Sequence, residues 1–355
     1  MIFRKMSKCA VIDLFCGIGG LSHGFIQEGF NVIAGYDNDS TCKYAFEQNN
    51  NSCFYTKDIT TVTGEELNQL WGNNLKILVG CAPCQPFSSY SFKVKVKDKK
   101  KLNLLYEFAR LIEETKPTII SMENVPQLTN TDKNIVFKDF CDTLNRMGYY
   151  IHYEVVFCPD YGIPQTRKRL VLLASKLGQI NLLPKTHNPS NYITVRDTIA
   201  DLPALKAGEF DPNDPIHRAR ALSDINLRRI QHTKEGGSWK DWPDELLLEC
   251  YKKKSGNTYR SVYGRMKWDA PSPTMTTHCT GLGNGRFGHP EQDRAITLRE
   301  AALLQTFPKN YRFYDNIESY NPSVISRQIG NAVPPKLGKI IAKSINNHLI
   351  EHKIL

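Results

Sequence analysis

A cysteine and a glutamate each stand at the end of a predicted strand, and together they could attack an electron-poor ring. Cys84 lies in the run Gly80-Cys-Ala-Pro-Cys-Gln-Pro-Phe-Ser88, which follows the apolar segment 75–80. Glu123 ends the apolar segment 118–123 and begins the run Glu-Asn-Val. The carboxyl ends of parallel strands share one edge of a sheet, so we expect the thiol and the carboxyl group to face one cleft.

Two arginines could activate this thiol. A free thiol is mostly protonated at neutral pH, and positive neighbours raise the fraction of thiolate, which is the attacking form. Arg167 and Arg169 lie in Gln165-Thr-Arg-Lys-Arg169, at the start of a late apolar segment. The alternative for this pair is a basic edge on a late strand.

The spacing Cys81-Ala-Pro-Cys84 also allows a redox pair or half of a zinc site. A zinc site needs a second such pair or matched histidines, and the sequence has neither. A redox pair would be expected to open a helix, whereas this one runs into Gln-Pro-Phe-Ser. We therefore predict no metal site and favour a nucleophilic cysteine.

A glycine-rich loop, Asp13-Leu-Phe-Cys-Gly-Ile-Gly-Gly20, follows a predicted strand and opens a helix. Its glycines let the backbone approach a ligand at the helix N-terminus, although a tight structural turn is the alternative. Asp37 ends the next predicted strand, where an acid can accept hydrogen bonds from ribose hydroxyls. Asp58 follows a third strand and could accept from an adenine amino group or cap a helix.

These loops are connected by alternating strand and helix patterns, which predict a parallel, doubly wound α/β sheet over residues 9–175. Two late strands, 149–157 and 169–175, close the sheet. Helical periodicity returns at 297–305 and from Val324 to the C-terminus. The other predicted strands are 9–15, 31–36, 75–80 and 118–123, and the predicted helices are 21–30, 40–50, 103–114 and 135–147.

Composition bounds the class of protein. The 355 residues are 41% hydrophobic and 23% charged, and the sequence has neither a secretory signal nor an apolar run of the roughly 18–20 residues that a membrane span needs. We expect a cytoplasmic protein with reduced cysteines. The formal net charge of +10 favours a polyanionic partner such as nucleic acid.

Residues 176–290 form a loop-rich region that is predicted to be a second domain. A poorly ordered linker is the alternative, but the segment carries enough aromatic side chains for a small core. We therefore divide the chain into a discontinuous domain, 1–175 with 291–355, and a module, 176–290. The aromatic residues are Trp239, Trp242, Tyr251, Tyr259, Tyr263 and Trp268.

Five motifs in this order resemble those of the DNA (cytosine-5) methyltransferases, in their bacterial type II restriction–modification form. The resemblance covers essentially the whole chain and implies a Rossmann-like methyltransferase sheet with a smaller target-recognition domain at 176–290. The motifs are residues 13–20, Pro83-Cys84-Gln85, Glu123-Asn124-Val125, Gln165-x-Arg167-x-Arg169 and Gln328-x-Gly-Asn331-x-Val333.

The resemblance implies a reaction. Cys84 would add to carbon 6 of cytosine, so that carbon 5 accepts a methyl group from S-adenosylmethionine. Glu123 would hold and protonate N3, while Arg167 would contact the pyrimidine and steady Glu123, with Arg169 in the same catalytic set. The C-terminal helix would fold back beside the first strand to complete the cofactor pocket. The implied cofactor residues are Phe15, Gly17, Gly19, Gly20, Asp37, Asp58, Ile59, Pro83, Leu104, Asn331 and Val333.

The implied partner is double-stranded DNA, from which the target base must be flipped at a cost of roughly a few kcal/mol. The lysine-rich segment 92–101 matches the family's mobile loop and could bind phosphates, with a solvated charge run as the alternative. In the module, arginines could contact guanine edges or phosphates. The predicted DNA-binding residues are Gln85, Ser88, Lys95, Lys97, Lys99, Gln165, Arg260, Arg265 and Arg286.

Two other functions use the same residues. A transfer-RNA cytosine methyltransferase shares the catalytic set, and a non-catalytic DNA-binding relative shares the fold. The motifs Gly236-Gly-Ser-Trp239 and Ser272-Pro-Thr-Met-Thr-Thr277 resemble those of bacterial DNA enzymes and disfavour the first. The intact cysteine, glutamate and glycine loop disfavour the second. We expect a monomer that protects host DNA beside a functionally paired restriction endonuclease.

Overall fold

The structure, a computed structural model, describes residues 8–83, 99–129, 135–253, 258 and 261–355, with the backbone alone at 99–103 and 317. Seven strands of the described chain form one sheet: β1 (Cys9–Leu14), β2 (Asn31–Asp37), β3 (Cys53–Thr56), β4 (Leu75–Gly80), β5 (Ile119–Asn124), β6 (Tyr150–Phe157) and β7 (Lys168–Ser175). The helices are α1 (Gly20–Gln27), α2 (Lys43–Asn50), α3 (Gly64–Trp71), α4 (Lys99–Thr115), α5 (Ile135–Arg146), α6 (Val195–Ile199), α7 (Asp224–His232), α8 (Glu249–Lys252), α9 (Leu298–Leu304), α10 (Pro322–Asn331) and α11 (Pro335–Glu351).

The strands lie in the order β3-β2-β1-β4-β5-β7-β6. The first five are parallel, which confirms the α/β class, but β7 runs antiparallel to both β5 and β6. Strand β6 therefore runs in the same direction as the first five, and the prediction of an all-parallel sheet was wrong for β7 alone among the described strands. Residues 158–167, which join β6 to β7, are too few for the crossover that parallel strands require.

The central strands are buried on both faces, as their continuous apolar sequences predict. Every residue of β1 and β5 is buried, which is typical of a parallel sheet covered by helices on both sides. One face packs against α4 and α5 through Phe108 and Phe140. The other packs against α1 and α11 through Phe25 and Ile341.

Helix α11 lies directly against α1, in agreement with the predicted return of the C-terminal segment to the first strand. A β-carbon added to Gly24 would lie 2.3 Å from the backbone nitrogen of Lys339, and one added to Gly338 would lie 2.8 Å from the carbonyl oxygen of Leu21. Only residues without side chains allow this approach. The two helices therefore hold the glycine-rich loop and the chain before α11 together.

The C-terminal segment forms two helices, although the periodicity from Val324 predicts one. Helix α10 ends at Asn331 and α11 begins at Pro335. Ala332 is extended, with ψ of 146°, and two prolines follow at 334 and 335. Proline lacks a backbone donor and disfavours helical geometry in the residue before it, so the helix is interrupted here.

The region 176–290 is folded, which favours a module over a linker. It contains the hairpin of β8 (Phe210–Asp211) and β9 (Asp214–Arg218), and a small core of Trp239, Trp242 and Leu246. The boundaries at 176 and 290 stay predictions, and apolar clusters cross both of them. The apolar clusters that cross the boundaries join Ile180 and Leu182 to α11, and Met266 and Met275 to Phe46, Ile296 and Leu298.

Among the described residues, no helix is long and apolar enough to span a membrane.

Candidate active site

The carboxyl ends of β1, β2, β4 and β5 open into one cleft of about 1320 Å³. Ligands of open α/β folds bind at this edge, because the loops that follow the strands leave a crevice there. The structure brings together in this cleft residues that are far apart in the sequence. The predicted site residues that line it are Phe15, Gly17, Asp37, Asp58, Ile59, Pro83, Leu104, Glu123, Arg167, Arg169, Asn331 and Val333.

One end of the cleft is built by the glycine loop and Asp37. The backbone N–H of Gly17 donates to Asp37 Oδ2 at 2.9 Å, and that of Asp39 donates to Oδ1 at 2.9 Å. Burial raises the pKa of Asp37. Each carboxylate oxygen keeps a further lone pair, so Asp37 can accept hydrogen bonds from a hydroxylated ligand while it holds the loop.

Gly19 and Gly20 are not among the residues that line the cleft, and their contact with a cofactor stays a prediction. Their small size serves packing. A β-carbon on Gly19 would lie 2.2 Å from Nδ2 of Asn50, and one on Gly20 would lie 2.2 Å from the carbonyl oxygen of Val333. The two glycines position the loop against α2 and the C-terminal segment, and Gly17 is the loop glycine at the cleft.

Asp58 takes the capping role that its sequence context allows, and its contact with an adenine amino group stays a prediction. It lines the cleft, and its Oδ1 accepts a hydrogen bond of 3.0 Å from the N–H of Thr60 at the start of a short 3-10 helix. The apolar neighbour Ile59 is buried at the same edge. Polar and apolar groups therefore alternate along this wall.

Glu123 lines the same cleft and is the penultimate residue of β5. It is 2% exposed. Its Oε1 lies 2.9 Å from Nε of Arg169, and its Oε2 accepts a hydrogen bond of 2.9 Å from the Cys81 thiol. Oε1 forms no hydrogen bond within the described part of the chain, so it is the oxygen left for a ligand.

Arg167 makes no hydrogen bond or ion pair with Glu123 among the described residues, which corrects that part of its predicted role; its contact with a pyrimidine stays a prediction. Its Nη1 donates to the carbonyl oxygen of Met275 at 3.1 Å and, with Nη2, to that of Gly330 at 3.4 Å. Burial, reinforced by the guanidinium of Arg169, lowers the pKa of Arg167 to about 9. Arg167 therefore ties β7 to the module and to α10, while Arg169 takes the position beside the carboxylate.

Sequence reasoning missed the role of Cys81, which it considered only as a partner for Cys84. Burial, and then the carboxylate of Glu123, raises the pKa of the Cys81 thiol well above its usual value. Cys81 thus carries a proton at neutral pH and is a poor nucleophile. The spacing of the two cysteines gave no signal for this, because the partner of Cys81 is on another strand.

The sequence matches the family model of the C-5 cytosine-specific DNA methylases over residues 9–347. The chain belongs to this family. It is 58% identical over 341 residues to the type II methylase M.HgiDII of Herpetosiphon aurantiacus, a match that covers 96% of each protein. It is 32% identical over 351 residues to the type II methyltransferase M.PspPI of Psychrobacter sp. (strain TA137), covering 97% of this chain and 80% of that protein.

A solved structure shares the fold of this C-5 cytosine methylase. The match covers 96% of this chain and 99% of an E. coli prophage-encoded protein described as a DNA modification methyltransferase, with a TM-score of 0.75 and 23% identity. At that identity the likeness concerns the fold alone. It supports the Rossmann-like methyltransferase architecture that the sequence motifs imply.

Three of the residues predicted to bind DNA in this methylase form hydrogen bonds with other residues of the protein. Gln165 is 0% exposed, donates to Gln305 Oε1 at 2.5 Å and accepts from the N–H of Met275 at 2.8 Å. Arg265 is 4% exposed. Arg286 is partly buried and donates to the carbonyl oxygens of Gly236 and Gly237.

Arg265 in particular is corrected from a DNA contact to a structural residue. Its guanidinium group donates to the backbone carbonyl oxygens of Thr233, Ile230, His289 and Gln292 and pairs with Asp293. A side chain with its donors so engaged has none to offer to a base edge. Several predictions lie outside the described residues or side chains: Cys84, Gln85, Ser88, Lys95, Lys97, Arg260 and the side chain of Lys99.

Proposed function

We propose that this protein methylates carbon 5 of cytosine in a specific double-stranded DNA sequence, with S-adenosylmethionine as the methyl donor and Cys84 as the nucleophile. The observation that carries the proposal is the Glu123 carboxylate. It is buried and lines the cleft, and its Oε1, which lies 2.9 Å from Nε of Arg169, accepts no hydrogen bond from a described residue. A buried carboxylate oxygen in this state suits a ring nitrogen that carries a proton.

The donor set of the cleft fits S-adenosylmethionine. Asp37 offers carboxylate oxygens suited to ribose hydroxyls, and Phe15, Ile59 and Leu104 supply apolar surface for a nucleobase. Asp58 lies on the same wall, where it can accept from an amino group. When bound, the cofactor supplies an electrophilic methyl group.

The protein's own residues supply the remaining chemistry. The Cys84 thiolate adds to carbon 6 of the flipped cytosine, while Glu123 holds a proton at N3, and carbon 5 thereby becomes nucleophilic. After methyl transfer, loss of the carbon 5 proton and elimination of Cys84 restore the aromatic ring. We assign the attack to Cys84 and not to Cys81, because the Cys81 thiol is hydrogen-bonded to Glu123.

The biological setting follows from the relatives. M.HgiDII and M.PspPI carry type II names, and we extend to this chain the modification half of a restriction–modification pair, acting as a monomer on DNA in the bacterial cytoplasm. The module 176–290 is then the target-recognition domain. Its exposed residues at the cleft, such as His278 and Asn284, are candidates for contact with DNA.

Bisulfite sequencing of plasmid DNA from cells that express the protein tests the proposal. We expect one sequence context in which a cytosine is protected from conversion. Glu123→Gln removes the proton-holding carboxylate and should reduce protection strongly, whereas an empty vector defines the background. No protected cytosine in any context with the wild-type protein would overturn the DNA function.

Two further measurements separate the nucleophile from the cofactor site. On duplexes that carry 5-fluorocytosine, wild-type protein should form a complex that survives denaturant and Cys84→Ser should not. Asp37→Ala should weaken binding of S-adenosylmethionine about tenfold in calorimetry, since hydrogen bonds to a charged group are lost. A serine variant that still formed the complex would mean that another residue is the nucleophile.

A further inference from the structure

Cys81 is fixed beside Glu123 by the ends of two strands. Its backbone N–H donates to the carbonyl oxygen of Leu14 at 3.3 Å, just beyond the last paired residues of β1 and β4. Asn124 secures the next residue, because its Nδ2 donates to the carbonyl oxygen of Ala82 at 3.0 Å. The position of the Cys81 side chain is thus set by the sheet.

The Cys81 thiol can act only as a donor in this position. Its sulfur lies 2.9 Å from Glu123 Oε2. Burial, and then the neighbouring carboxylate, raises the pKa of the thiol well above its usual value, so the proton stays on sulfur at neutral pH. A thiolate in its place would repel the carboxylate, whereas an S–H group donates to it.

This hydrogen bond leaves the two oxygens of Glu123 in different environments. Oε2 accepts from Cys81, while Oε1 faces Arg169 at 2.9 Å and lacks a hydrogen bond to any described residue. The terminal torsion of a glutamate side chain has a broad, two-fold energy profile, so one ion pair alone does not fix the carboxyl plane. A second contact at Oε2 does.

We infer that Cys81 is a positioning residue whose S–H···Oε2 hydrogen bond orients the Glu123 carboxyl group so that Oε1 meets the ring nitrogen of the target cytosine. The role rests on the proposed function, since it concerns the same reaction. Cys81 acts through Glu123, and Cys84 remains the nucleophile. Its effect should therefore fall on the chemical step and not on DNA or cofactor binding.

Steady-state methylation of a duplex by purified full-length protein tests this role, with Cys81→Ala to remove the donor and Cys81→Ser to retain one. We expect the alanine variant to lower kcat about tenfold, the order for loss of one hydrogen bond to a charged group. KM for DNA should stay unchanged, and serine should restore most of kcat. Cys9→Ala, a buried cysteine of β1 that does not line the cleft, is the matched control and should keep the wild-type kcat.

Each other outcome overturns the role. Wild-type kcat in the alanine variant would show that the hydrogen bond is dispensable, and an equal loss in alanine and serine would show that sulfur packing matters instead. If Cys81→Ala fails to fold, Cys81→Gly takes its place; if neither folds while serine does, Cys81 serves stability alone. A wild-type protein that transfers no methyl group would instead overturn the proposed function, and this role with it.

Discussion

Glu123 Oε1 lies 2.9 Å from Nε of Arg169. The two residues are brought together by the antiparallel pairing of β5 with β7, in which Asn124 is opposite Leu170. Arg167 lies before β7, where its N–H donates to the carbonyl oxygen of Gln165 at 2.7 Å in a tight turn. The guanidinium group of Arg167 donates instead to the carbonyl oxygens of Met275 and Gly330, so the ion pair with the carboxylate is made by Arg169.

Replacing each arginine by alanine should therefore have a different effect, on kcat for Arg169 and on stability for Arg167. Arg169→Ala should lower kcat about 100-fold, because a buried carboxylate loses its counterion at the reacting ring. Its free energy of unfolding should change less than that of Arg167→Ala, which leaves the carbonyl oxygens of Met275 and Gly330 without a donor and should cost about 3 kcal/mol of stability. Methylation kinetics and urea denaturation of both variants measure the contrast. A stable Arg167→Ala protein with the larger loss of kcat would reverse the assignment.

The contact between α1 and α11 should be intolerant of a single methyl group. Gly24→Ala would place its β-carbon within 2.5 Å of backbone atoms of Lys339, Gly338 and Pro335, and we expect a loss of about 3 kcal/mol in the free energy of unfolding. Lys343→Ala, at an exposed position of α11, is the control. It removes no buried contact, so it should change the free energy of unfolding by less than about 0.5 kcal/mol. Equal stabilities in urea would mean that the helices can separate without penalty.

Asp13 should make stability depend on pH. Its Oδ2 accepts a hydrogen bond of 2.7 Å from Ser22, yet burial outweighs this and raises its pKa to about 7. An Asp in the unfolded chain ionises near pH 4, so the folded state binds the proton more tightly. The stability contributed by this proton is complete below about pH 4 and is lost as the pH rises to about 7, by an amount on the order of 4 kcal/mol.

Asp13→Asn tests this dependence, because the amide keeps the shape and cannot ionise. Between pH 5 and 8 the wild-type midpoint of urea denaturation should fall more steeply than that of the variant, which should be the more stable protein at pH 8. Asp201→Asn, at an exposed position, should keep the wild-type slope. Parallel curves for wild type and Asp13→Asn would contradict the prediction.

Replacing Arg265 should lower the stability of the protein, because its side chain is buried and hydrogen-bonded. Arg265→Ala leaves several backbone carbonyl oxygens and Asp293 without their donor, and we expect it to cost at least about 3 kcal/mol of stability. The exposed Arg220→Ala should change stability by less than about 0.5 kcal/mol. Calorimetric melting of the two variants decides. An Arg265→Ala protein that melts like wild type but binds DNA weakly would restore the predicted DNA contact.

The sequence by itself determined the elements and the edge at which the site forms. Strands such as β4 and β5 are largely apolar runs, and the polar residues at their ends mark where each strand stops: Cys81 directly after β4 and Asn124 as the last residue of β5. Asp37 follows the same rule at the end of β2. Local pattern suffices here because burial on both faces of a parallel sheet demands such runs, and all their carboxyl ends meet at one edge.

Only the tertiary structure decided which of several similar side chains reaches the site. Arg167 and Arg169 are two residues apart, yet Arg167 donates to backbone carbonyl oxygens whereas Arg169 pairs with Glu123. Gly17 and Gly20 are close in sequence, but Gly20 packs against the carbonyl oxygen of Val333, which leaves no room for a side chain there. The Cys81 thiol donates a hydrogen bond to Glu123 on another strand, and Arg265 is buried within the region 176–290. The direction of a side chain depends on backbone torsions and on partners distant in the sequence, and residue type and spacing encode neither.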